Sequence, residues 1–134
     1  MAEETELGRW YTAFVRGATS SKMGTAVITS DRLLFFDQKF APNAAAGVLT
    51  SLIVDRLQKR HEEGGPLLDL PFSVVTSVTR RKKLLNKDRM AIGTSDGEHL
   101  LNDGWSKWSP ILRGALADSG RTIVDESEDA FRVE

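Results

Sequence analysis

The sequence predicts a mainly β protein of the α+β class: a small antiparallel barrel closed by a C-terminal helix, with a second helix inserted among the strands. Three observations lead there. Residues 25–36, 67–78 and 90–97 are strand-like apolar runs, each punctuated by a turn. A tryptophan-bearing segment with helical apolar spacing, Trp105 to Leu116, follows the last of them. Between the first and second runs, Val48, Leu49, Leu52, Ile53 and Leu57 recur at helical spacing on one side.

The elements follow in order. Trp10 to Val15 mixes aromatic and β-branched residues and is expected as the first strand. Turn composition at Gly17 to Ser21 leads into Gly24 to Ile28, which completes a hairpin. Ser30-Asp31 is the next turn. Arg32 to Phe36 carries four adjacent apolar residues, so both faces of this strand are expected to be covered.

Residues 44–61 are expected to form the inserted amphipathic helix between strands 3 and 4. Asn43 can cap its start, and Lys59, Arg60 and His61 suit the negative end of its dipole. Gly64-Gly65 then releases the chain. Strands resume at Leu67–Leu70, Val74–Thr79, Arg89–Thr94 and Glu98–Leu101, with Ser95-Asp96-Gly97 as a tight turn between the last two. Residues 84–88 are read as the connection before Arg89.

The final helix is expected at about 105–118. Asp103 or Ser106 can serve as its N-cap, Pro110 fits within the first turn, and Gly120 stops it. Residues 1–120 are expected to form one domain. Residues 121–134 are expected to be an acidic, flexible tail, with a short edge strand at Ile123-Val124 as the alternative.

Bulk properties narrow the function. The 134 residues suffice for one core without staples. A formal net charge of -1 argues against coating nucleic acid, which needs a basic excess. With no cysteine, disulfides, thiolate metal sites and cysteine nucleophiles are excluded, in keeping with a cytoplasmic setting. The N-terminus lacks the positive start and apolar core of a secretory signal, and no apolar run reaches the roughly 20 residues of a membrane span.

Residues 24–36, 69–78, 94–97 and 108–116 together resemble the pleckstrin-homology-like superfamily, in particular its GRAM-type and bacterial members. The resemblance covers roughly residues 8 to 118. It implies a PH-like seven-stranded, bent antiparallel barrel whose open end is plugged by the C-terminal helix, with Trp108 as the plug. It also implies a domain that binds rather than catalyses. Lipid-binding members grip inositol phosphates with a basic first-hairpin loop. Here that loop has only Arg16 and Lys22, which speaks against this mode.

No Gly-rich phosphate loop, zinc-protease run or nucleophile elbow is present, so no enzyme and no cofactor are expected. His61-Glu62-Glu63 are adjacent on a helix end and converge poorly on one metal ion. Trp10, Trp105 and Trp108 read as packing residues before stacking platforms, with Trp105 the one most exposed. The basic segment Arg80, Arg81, Lys82, Lys83, Lys87 and Arg89 forms a positive ridge set against one acid, Asp88.

The leading expectation is a cytoplasmic adaptor. Its inserted helix offers Val48, Leu49, Leu52, Ile53 and Leu57 to an unidentified protein partner or to a second copy of the chain. The alternatives are a peripheral membrane module that binds anionic lipid through Arg80–Lys83, and a carrier of a small apolar ligand between barrel and inserted helix.

Overall fold

The structure, a computed structural model, describes residues 4–16, 20–37 and 66–134. The expected helix at 44–61, and with it Val48, Leu49, Leu52, Ile53, Leu57 and the His61-Glu62-Glu63 run, lies outside the described residues. Nine strands and one α-helix are described. They are β1 (Glu6–Val15), β2 (Ser21–Thr29), β3 (Arg32–Asp37), β4 (Leu68–Pro71), β5 (Val75–Lys83), β6 (Asn86–Thr94), β7 (Gly97–Leu101), α1 (Trp105–Asp118), β8 (Ile123–Ser127) and β9 (Ala130–Val133). A single 3-10 turn, Phe72–Val74, makes the corner between β4 and β5.

All pairings are antiparallel. The strands form one open sheet in the order β4-β3-β2-β1-β7-β6-β5-β9-β8. This corrects the seven-stranded barrel. Seven strands do run in unbroken order from β4 to β5, but the edge of β5 does not turn back to meet β4. It is taken by β9, where Ser77 pairs with Arg132, Val78 with Phe131 and Thr79 with Ala130.

The acidic tail is therefore a hairpin, not a flexible end. Phe131 and Val133 are buried in the main core, and Thr122 and Glu134 exchange backbone hydrogen bonds at 2.9 and 2.8 Å. Arg121 ties the hairpin down by donating to the carbonyl oxygens of Phe72 and Glu134. Sequence hydropathy conceals this because the two large apolar side chains of β9, Phe131 and Val133, alternate with charged Arg132 and, just past the strand, Glu134.

Alternation along β3 produces two clusters. Leu33 and Phe35 enter the main core with Ile28, Val78, Met90, Ile92 and Leu101, while Leu34 and Phe36 meet Val27 in a second cluster on the opposite face. Both faces of β3 are thus buried, as its unbroken apolar run requires.

Helix α1 covers the main core with Leu112, Ala115 and Leu116. The two tryptophans trade the roles expected of them. Trp105 is the buried one, against Phe131 with centroids 6.3 Å apart. Trp108 is half-buried and stacks on Trp10 at 4.8 Å and 10°. A Cβ on Gly8 would lie 2.3 Å from the Trp108 ring, so that strand position needs a glycine.

The helix begins at Trp105, which places Pro110 sixth, in the second turn, where its missing N–H forgoes one intrahelical bond. The N-cap residue is Gly104, at φ 111°, a left-handed conformation that suits glycine. At the other end, Gly120 donates to the Ala117 carbonyl and Arg121 to that of Leu116, so Gly120 is the left-handed stop in a Schellman motif.

Candidate functional site

The β5–β6 hairpin carries all six cations of the basic segment, and strand alternation divides them. Val78, Met90 and Ile92 face the core. Arg80 lies opposite Met90 and shares that side, whereas Arg81 and Arg89 are cross-strand partners on the outer face. Lys82 shares with Arg80 the carboxylate of Asp129, and the register shifts between Arg81 and Lys83, which pairs with Asn86.

The core-side cations are neutralised within the protein. Arg80 pairs with Asp129 at 3.2 Å and lies 3.9 Å from Asp88, and Lys82 reaches Asp129 at 3.4 Å. Asp129 occupies the β8–β9 turn, so the C-terminal hairpin delivers this carboxylate. Asp88 also accepts from the Ser106 amide at 3.0 Å and from the Ser106 hydroxyl at 2.5 Å. A β6 carboxylate thereby satisfies the positive end of α1, in place of the Asp103 or Ser106 side-chain cap expected from sequence. Asp103 instead accepts from the Trp10 indole at 3.2 Å.

The Arg80 guanidinium, together with Lys82, holds the Asp129 carboxyl below the usual carboxylate range. A lowered value means that the contact contributes stability at pH above the ordinary carboxylate range and loses it as pH falls through the lowered value. Acidification therefore releases Arg80 and Lys82 from Asp129.

The outer face is balanced less well. Arg81 is bidentate to Glu98, with its closest approach at 2.6 Å, and that hydrogen bond raises the arginine's affinity for its proton. Lys83 and Lys87 are exposed and have no ionic partner among the described residues. Arg89 is only 9% exposed, and its Nε has no hydrogen-bond partner. Six cations thus meet three carboxylates (Asp88, Glu98 and Asp129), which leaves three positive charges over. Like charges directly opposite one another on a sheet repel, so the Arg81–Arg89 pair is a position where a further anion is favoured.

The tip of the hairpin carries a feature that sequence reasoning missed. Leu84 and Leu85 form its two-residue turn and are 91% and 96% exposed. Leu84 is the one non-glycine residue at positive φ among the described residues, at 53°. The available signal was the pairing itself: two-residue turns favour Asn, Asp and Gly, and here two leucines stand between Lys82-Lys83 and Lys87.

No helix among the described residues is long and apolar enough to cross a membrane. No protein-family model and no curated protein matches the chain. Solved structures do. The C-terminal domain of an unknown protein from Leishmania infantum is similar at 13% identity with a TM-score of 0.56, covering 85% of each chain. The Slm1-PH domain, solved in complex with phosphoserine, is similar at 13% identity with a TM-score of 0.51, covering 86% of this chain and 96% of that one. Neither likeness separates GRAM-type or bacterial members from the rest of the fold. The open antiparallel sheet and its C-terminal helix have a pleckstrin-homology-like fold.

Proposed function

We propose that this protein is a non-catalytic binding module that docks on an anionic surface through the β5–β6 hairpin. The observation that carries the reading is the uncompensated outer face: Arg89, whose buried Nε has no hydrogen-bond partner, beside Arg81, with Lys83 and Lys87 exposed to solvent. Burying a guanidinium Nε–H without an acceptor is unfavourable, and an anion drawn to this cationic face adds charge-assisted contacts. The Slm1-PH domain, which shares the fold, is itself a complex with an anionic ligand, phosphoserine.

Asp129 sets how much of the ridge is available, because it holds Arg80 and Lys82. Asp129→Asn removes that competition. Each basic residue near an anionic membrane surface contributes about 1 kcal/mol. The variant is therefore expected to bind anionic vesicles roughly fivefold more tightly at low salt. Replacing Lys83 and Lys87 by serine is expected to weaken binding by more than tenfold. Co-sedimentation across a salt series measures both. Binding that is indifferent to salt and to both variants contradicts the reading.

A further inference from the structure

We infer that the anionic surface is a lipid bilayer, and that Leu84 and Leu85 enter it as an apolar wedge. This deepens the proposed function and rests on it. Two leucines exposed at 91% and 96% stand at the apex of a projecting hairpin, where they contribute nothing to the core. Leu84 is moreover held at φ 53°, a conformation that disfavours a branched side chain and that asparagine or glycine would adopt readily. Folding alone selects neither residue at this turn. A local cost kept at an exposed apex points to use of the site.

The form of the tip identifies its occupant. A specific protein interface takes some 20 to 30 residues on each side, and this apex offers two apolar ones. A bilayer asks for less: a small apolar insertion with cations at headgroup depth. The spacing matches that demand. At about 3.3 Å per residue, Lys83 lies about 3 Å behind the leucines, and Arg81 lies about 10 Å behind them on the same strand. These positions fall at the level of lipid phosphates when the leucines reach the acyl boundary. The acids on and beside the hairpin are already engaged, Asp88 by Ser106, Asp129 by Arg80 and Lys82, and Glu98 by Arg81.

The test uses the full chain and vesicles of phosphatidylcholine, with and without phosphatidylserine. A heparin column is the soluble-anion arm. The key variant is Leu84→Asn with Leu85→Ser, which removes the apolar apex and relieves the strained turn. It is expected to keep or raise the thermal midpoint, to keep heparin retention, and to bind phosphatidylserine vesicles on the order of a hundredfold more weakly. Vesicle binding equal to wild type would overturn the wedge while leaving the anionic-surface reading intact. Retention on heparin with no vesicle binding by the wild type would overturn the bilayer and leave an acidic macromolecule as the partner. Failure to bind either probe would remove the anionic-surface reading itself.

Discussion

Phe131→Ala is expected to cost about 3–5 kcal/mol of folding stability, the range for truncating a buried phenylalanine. The ring is only 4% exposed, sits in the main cluster, faces Trp105, and lies on the strand position that pairs with Val78. Its loss opens a void under the start of α1 and weakens the attachment of β9 to β5. Domains are stable by only about 5–15 kcal/mol, so the midpoint of urea unfolding falls far enough to be measured directly. The same variant loosens the turn that carries Asp129, so the ion pairs to Arg80 and Lys82 weaken with it. A loss below about 1 kcal/mol would mean that the C-terminal hairpin is not part of the cooperative core.

Two glycine replacements are expected to act in opposite directions. A Cβ on Gly24 would lie 2.0 Å from the carbonyl oxygen of Phe36 and 2.9 Å from the ring of Phe35. Both are fixed, one by backbone pairing and the other by full burial. Gly24→Ala must therefore separate β2 from β3, at an expected cost of about 1–3 kcal/mol or more. A Cβ on Gly114 would meet nothing within 4 Å, on the exposed side of α1. Gly114→Ala is expected to stabilise by about 0.5–1 kcal/mol through helix propensity and reduced freedom of the unfolded chain. Thermal unfolding of the two variants side by side reads the contrast. A stabilising Gly24→Ala would contradict the tight crossing of β2 and β3.

Much of the fold was legible because its strands carry their own pattern. The four-residue apolar run of β3, the Asp-Gly turn before β7 and the leucine-alanine stripe of α1 each declare themselves within a dozen residues. The C-terminal hairpin does not. Phe131 and Val133 acquire meaning only through partners such as Val78 and Trp105, distant in sequence, and the acids around them look like a solvated tail. The exchange of roles between Trp105 and Trp108 has a similar origin. The helix starts without a capping side chain of its own, and a carboxylate on β6 supplies the cap.

The basic segment shows how far a charge run can mislead. Read along the chain, Arg80 to Lys83 are equivalent. Read by register, Arg80 and Lys82 face the protein's own acids, whereas Lys83, Lys87 and Arg89 are left without one. The run signals a cationic ridge, but along the sequence the two leucines at its centre read as a plain connection. Exposure cannot be read from residue type, since leucine is usually buried.

The absence of cysteine allows a direct reading of the tip. A polarity-sensitive fluorophore attached through Leu85→Cys labels one position only. Its emission on addition of phosphatidylserine vesicles should shift to the blue and be quenched by nitroxides placed shallowly in the acyl chains. The same label introduced through Asp96→Cys, in the turn between β6 and β7, should stay in water. If the position 85 label keeps its aqueous spectrum on vesicles that sediment the protein, the hairpin lies on the headgroups and Leu84 and Leu85 do not act as a wedge.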